Sequence, residues 1–261
     1  MTAQPVFFHD GHRYHATELA HSPWAEGALH GGAAAALLVH EIERHPAAPG
    51  LRLARLTCEF MRPVPADGLA VQLTVGRPGR RVTLLEASLR DASENEACRA
   101  RALLLGPSRL DAVVTPEPEQ PPPGPERGEP SEELPIDRRM FANAAMEIRF
   151  VRGSFLAPGD ATAWFRLRGP LVDELPPSPM ARLAAASDFG NGIGSALRWD
   201  RHTFINPDLT LYVEREPVDE WVALQSRMRV ASGSVPLAES VLWDRRGRIG
   251  LAVQALVVGT R

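Results

Sequence analysis

The sequence predicts an α+β fold made of one unit built twice, and three observations carry that expectation. First, an offset of 153 residues lays LTCEFMRPVP (56–65) over LTLYVEREPV (209–218), LLEASLRD (84–91) over LAESVLWD (237–244) and ARALLLG (100–106) over VQALVVG (253–259). Without a gap, 13 of the 51 positions in 56–106 are identical to those in 209–259, and most others keep their polarity. Self-similarity on that scale marks a duplicated structural unit. Second, each copy opens on an Ala-rich helical stretch and continues into alternating strands. Third, TPEPEQPPPGPERGEPSEELP (115–135) is dense in Pro and Glu and nearly free of apolar residues, which predicts an exposed, extended connector. The expected organisation is a domain over 1–112, a linker over 113–138 and a second domain over 139–261.

The elements follow in order. HGGAAAALLVHEIERH (30–45) is rich in strong helix formers and predicts the first helix. Stretches 52–61, 69–76, 82–90 and 97–105 alternate apolar with polar residues and predict strands with one buried face. In the second copy a helix is expected over about 179–197, with strands over 208–215, 221–230, 235–243 and 248–258. DRRGR (244–248) has the Asp-to-Gly content of a hairpin turn. A helix followed by an antiparallel meander must lay its apolar side on the sheet, and small helix residues permit a close approach.

Composition narrows the function classes. A hydrophobic share of 44% and a charged share of 23% describe an ordinary globule. A net charge of −3 gives no reason to expect nucleic acid or an anionic membrane as partner. No apolar run approaches 18 residues, and MTAQPVFFHDGHRYH lacks the basic start of a signal peptide, so a cytoplasmic protein without a membrane span is expected. The two cysteines, Cys58 and Cys98, suit a reducing compartment, a single disulfide being the alternative. His9, His12 and His15 lie three apart in a stretch with few polar anchors and read as a solvated loop, so no metal site and no cofactor are expected. There is no GxSxG elbow for serine-esterase chemistry. The arginines of GRPGRR (76–81) read as a solvated hairpin, a contact for coenzyme A phosphates being the alternative.

One stretch contradicts its surroundings. SDFGNGIGSAL (187–197) puts Asp188 and three glycines, Gly190, Gly192 and Gly194, into an apolar segment flanked by helix formers. Each glycine in a helix interior costs about 1 kcal/mol against alanine. On the residues alone, Asp188 is either a cap of a helix or turn or a catalytic acid. Gln254 is the lone polar residue of LAVQALVV and needs hydrogen-bond partners if buried, either neighbouring backbone or a site. The ungapped comparison sets Gln254 opposite Arg101, a different polar type, as if one half kept a site and the other changed it.

LHGG (29–32), FMRP (60–63), ASDFGNG (186–192), FINPDLTLYV (204–213) and GLAVQALVV (250–258), in this order and across both halves, resemble the TesB-like double-hotdog acyl-CoA thioesterases. The resemblance implies two antiparallel sheets joined side by side, each wrapped around a long central helix. It implies hydrolysis of an acyl-CoA or related acyl thioester by a positioned water. The family's catalytic Asp and Gln match Asp188 and Gln254. Its third catalytic group, typically a Thr hydroxyl, aligns with Asn206, a departure that leaves the nearby Thr210 as the alternative; Thr57 holds the slot of Thr210 in the first half. His30, Gly31, Gly32, Gly190 and Gly192 are then expected to lie against the substrate, since bare backbone approaches a thioester closely and free helix-start N–H groups hold a developing oxyanion. Two rivals stand beside this reading: an acyl-thioester binding protein that has lost turnover, and a hotdog dehydratase using His30 paired with an acid. Sheet edges invite pairing, so a homodimer or larger even assembly is expected.

Overall fold

The structure, a computed structural model, describes residues 4–47, 49–108, 119–131, 136 and 138–261. The first half holds β1 (Phe7–His9), β2 (Tyr14–Ala16), α1 (Gly31–Arg44), β3 (Arg52–Phe60), β4 (Ala70–Arg77), β5 (Val82–Arg90) and β6 (Glu96–Leu105). Then come β7 (Glu129–Pro130), β8 (Met146–Arg152), β9 (Ala161–Leu167), α2 (Pro179–Ser187) and α3 (Gly190–Ile193). The chain ends with β10 (His202–Ile205), β11 (Asp208–Val213), β12 (Val222–Arg229), β13 (Leu237–Asp244), β14 (Gly247–Ala255) and β15 (Val257–Thr260).

Among the described residues one eleven-stranded antiparallel sheet runs in the order β4-β5-β6-β3-β11-β14-β13-β12-β9-β8-β7. The two halves meet where β3 pairs with β11, and the register there sets Thr57 opposite Thr210. These are the residues that the 153-residue offset superposes, so each half reads outward from that pair as the other's mirror: β3-β6-β5-β4 against β11-β14-β13-β12. Helix α1 packs on β4, β5 and β6, α2 packs on β9, β11 and β12, and the two helices touch each other. Alanines 33–36, Leu37, Leu38 and Val39 of α1 are fully buried, as are Ala181, Leu183, Ala184 and Ala185 of α2. A Cβ on Gly32 would collide with the Ala185 carbonyl oxygen, so the helix pair requires glycine there.

Three expectations need correction. The second helix does not run from 179 to 197: Ser178 caps it, Pro179 opens it, and it stops at Ser187, whose hydroxyl turns back to the Leu183 carbonyl. One short turn of helix, α3, follows, and 195–199 is not helical. The second half therefore lacks the long helix of the first.

The connector is not wholly exposed. Part of it, 113–118, 132–135 and 137, lies outside the described residues. Elsewhere in it Pro125 is buried, the Trp164 indole donates to the Pro123 carbonyl at 2.6 Å, and β7 pairs with β8. Proline is apolar, and a buried indole N–H needs an acceptor, so a Pro-rich segment has reason to pack.

Third, the ungapped comparison slips by one after the β5–β6 turn. Five residues (91–95) separate the paired Arg90 and Glu96, but four (244–247) separate Trp243 and Arg248. Thr57 faces Arg101, whereas Thr210 faces Val253. The true counterpart of Gln254 is therefore Ala102, not Arg101. A one-residue slip in a strand exchanges its faces, which is why Arg101 is exposed and Gln254 buried.

Candidate active site

Asp188 sits where α2 ends, as its C-terminal cap, and is 5% exposed. Its carboxylate meets four residues from three places in the chain. Oδ1 accepts from Asn206 Nδ2 at 2.8 Å and from Gln254 Nε2 at 3.1 Å. Oδ2 accepts from the backbone N–H of Gly32 at 2.8 Å and lies 3.1 Å from His30 Nδ1. Gly32 stands in the first turn of α1, so the carboxylate of one half lies at the positive end of the other half's helix dipole. A buried carboxylate is costly unless it is hydrogen-bonded, and three donated hydrogens, one of them from the helix terminus, offset that cost.

His30 caps α1 and is stacked on Phe189, ring centroids 4.5 Å apart. Its Nδ1 is also 3.0 Å from the Gly32 N–H, which lies closer to Asp188. A hydrogen on Nδ1 lets both Nδ1 and the Gly32 amide donate to Oδ2, and no two lone pairs then face each other.

The remaining groups hold these in place. Gln254, 1% exposed, also reaches the Asp188 carbonyl, and its Oε1 accepts from the Asn191 N–H at 3.1 Å. Asn206 Nδ2 donates to the Asp208 carbonyl as well. Asp208 in turn caps the Ala255 N–H, and burial pushes its carboxyl above the ordinary value.

A cavity of about 270 Å³ opens on this cluster. Asp188, Asn191, Asn206, His30 and Gly31 form its polar wall, with Trp24, Leu29, Phe60, Val64, Ile205 and Val257 on the apolar side and Arg62 beside them. The structure thus brings together Asp188, Gln254, Asn206, His30, Gly31 and Gly32 from the sequence-derived set. Thr210 stands apart: its hydroxyl faces that of Thr57 at 3.5 Å across the seam between the halves. Gly190 and Gly192 are behind the cavity rather than on its wall. A Cβ on Gly190 would collide with Ser240 Oγ, Gly192 lies against Phe155, and a Cβ on Gly194 would come 2.7 Å from the Ser226 backbone. Close seating of α3 on the sheet, not ligand contact, demands glycine at 190 and 194, whereas a Cβ at 192 would meet Phe155 at ordinary contact distance. The turn 76–81 lies beside Arg52 and Leu105, at the end of β3 and β6 opposite to Phe60, so its arginines are not at the cavity.

Asn191 and the buried pair Ser226–Ser240, hydroxyls 2.7 Å apart, escaped the sequence reading. Asn191 had a signal: it is the one amide among the three glycines. Arg62 was quoted in FMRP, without a role. Among the described residues no group of three or more His, Cys, Asp or Glu stands close enough to hold a metal, and no helix is long and apolar enough to cross a membrane. Cys58 and Cys98 are buried free thiols.

Several solved structures share this architecture. A hot dog fold protein of unknown function from Alicyclobacillus acidocaldarius is 18% identical, with a TM-score of 0.74 over 98% of this chain and 95% of that one. The TesB protein of Mycobacterium avium subs paratuberculosis is 16% identical, TM-score 0.65, over 98% and 96%. The acyl-CoA thioesterase II TesB2 of Mycobacterium marinum is 18% identical, TM-score 0.64, over 94% and 96%. At these identities the likeness shows a hotdog fold. No curated protein sequence matches the chain. Family models do: the acyl-CoA thioesterase N-terminal domain matches residues 20–105 and the acyl-CoA thioesterase C-terminal domain matches residues 118–258. The second match alone spans more than half of the chain, and the protein belongs to the acyl-CoA thioesterase family and is a thioesterase.

Proposed function

We propose that the protein hydrolyses acyl-CoA thioesters with a water activated by Asp188, and that its halves are two hotdog units sharing one sheet. The single observation that supports the chemistry is the Asp188 carboxylate, fixed by Asn206, Gln254 and the Gly32 N–H while facing a cavity. Asp188 takes a proton from the water as its oxygen attacks the thioester carbonyl. Asn206, on the cavity wall, steadies that water together with Asp188. Gln254, behind Asp188, holds the carboxylate rather than the water. The first amide of α1, at Gly31, is placed for the developing oxyanion, since a helix-start N–H has no partner within its helix. Collapse of the tetrahedral intermediate breaks the C–S bond, expels coenzyme A thiolate and leaves the free acid. The acyl group lies along Trp24, Phe60, Ile205 and Val257.

A thiol-release assay across a panel of acyl-CoA chain lengths tests this. Expected is release of free thiol with a clear chain-length optimum. Addition of water to an enoyl-CoA without thiol release would favour a dehydratase using His30, and binding without either reaction would favour a carrier.

A further inference from the structure

Residue 191 reaches both amide side chains that touch Asp188. Its backbone N–H donates to Gln254 Oε1 at 3.1 Å. Its side-chain Nδ2 donates to Asn206 Oδ1 at 3.2 Å and to the Phe204 carbonyl at 3.1 Å. The residue is 5% exposed. A backbone carbonyl can only accept, so Phe204 fixes the nitrogen end of Asn191, not its oxygen, toward Asn206.

We propose that Asn191 is a positioning residue that keeps the donor end of Asn206 on Asp188 throughout the reaction, a proposal that rests on the hydrolytic reading above. An amide has a donor end and an acceptor end of nearly the same shape. While Asp188 is ionised, it repels the oxygen end by itself. Once Asp188 holds the proton taken from water, it becomes a donor, and an Asn206 flipped to accept that proton keeps its contact with Asp188, opposed on its far side by the Asp208 carbonyl, to which Nδ2 donates at 3.0 Å. That state would retain the proton and stall its return to solvent or leaving group. Asn191 is the second guard and closes off the alternative, because a flipped Asn206 would set its NH2 against the Asn191 NH2 as well as its oxygen against the Asp208 carbonyl. A hydroxyl at position 206 needs no such guard, since it rotates to donate or accept as its neighbours change. The amide at 206 and the amide at 191 are therefore a matched pair.

The experiment measures kcat and KM on the acyl-CoA with fastest thiol release. Asn191→Ala removes the side chain, and Asn191→Leu keeps its volume without a donor. Both should lower kcat about tenfold, the scale of one lost hydrogen bond to an acting group, with KM changed less than about threefold. In an Asn206→Thr background the same changes should cost less than about threefold. Full kcat in Asn191→Leu, or equal losses in both backgrounds, overturns the proposal.

A readout free of activity accompanies it. The Asn206 side-chain NH2 is the NMR pair that vanishes in Asn206→Thr, and its hydrogen exchange should speed up at least about tenfold in Asn191→Leu. An unchanged exchange rate also overturns the proposal. Failure of the hydrolytic reading looks different: Asp188→Asn would keep its thiol release whatever the Asn206 exchange rate does.

Discussion

The inner faces of the two half-sheets differ at three matched positions. Leu73, Ala87 and Ala102 line it in the first half, and Ser226, Ser240 and Gln254 line it in the second. Above the apolar trio α1 runs unbroken for 14 residues; above the polar trio α2 stops after nine, and Asp188, Gly190 and Asn191 descend onto the sheet. The Gln254 amide gives the broken helix partners at the Asp188 carbonyl and the Asn191 N–H, while the two serine hydroxyls bond each other beneath Gly190. The first half, relieved of chemistry, contributes the intact helix whose N-terminus receives the second half's carboxylate. The duplicate that lost its polar residues is thus half of the site, not a bystander.

Breaking the site should have the largest effect. Asp188→Asn keeps volume and removes the base, and Gln254→Ala removes the group that holds it; each should lower kcat by at least about 100-fold, the scale of losing a positioned acid–base group. Circular dichroism should show both variants folded. Full turnover in Asp188→Asn would end the mechanism.

The next comparison concerns a pair that both halves kept. Arg62–Asp91 and Arg215–Asp244 are matched by the 153-residue offset, yet the Asp244 side chain is fully buried and that of Asp91 is 16% exposed. Arg215→Met strands a buried carboxylate and should cost about 2–3 kcal/mol, seen as a fall in melting temperature of several degrees. Arg62→Met should melt closer to wild type and change thiol release instead, because Arg62 lines the cavity. Both acids titrate low. The hydrogen bond from Arg62 takes Asp91 down to about 2 from 3.8. Burial pushes Asp244 up, but bonds from Arg215 and from the Arg246 and Val218 amides outweigh it, for a net lowering. A carboxyl lowered in the fold contributes stability that is complete above its unfolded value and is lost as pH falls toward the folded one. The melting temperature should therefore drop as pH falls below 3.8, and Asp244→Asn should make that drop shallower.

Removing 121–126 takes away the Pro123 acceptor and the buried Pro125. An orphaned indole N–H costs about 1–3 kcal/mol, so scanning calorimetry should show a lower melting temperature; a bare tether would show none. Smallest of all, Arg101→Gln should leave turnover within about twofold, because Arg101 lies on the exposed face and pairs with Glu86.

Strands in the duplicated window were legible because one buried face imposes a period of two, and their ends fell within a few residues. β8 and β9 lay outside that window, although MEIRFVR and ATAWFRL carry the same alternation. Asp188 and Gln254 were legible as polar residues in apolar company. The purpose of Gly190 and Gly194 was not, since what they avoid, Ser240 and the Ser226 backbone, arrives from distant strands. Nor was the true partner of Gln254, because a hairpin shorter by one residue leaves no trace in an ungapped comparison. That Asn206 and not Thr210 stands beside Asp188 needed the seam: Thr210 pairs across it with Thr57, its own duplicate.

The Gly32–Asp188 bond joins residues 156 apart, one from each repeat. In a dimer of separate units that bond would form between molecules, and every site would come apart on sufficient dilution. Here one continuous chain carries both partners, and a tether holds its ends at an effective concentration of order millimolar whatever the solution contains. Formation of this bond is therefore independent of how many other copies of the chain are present.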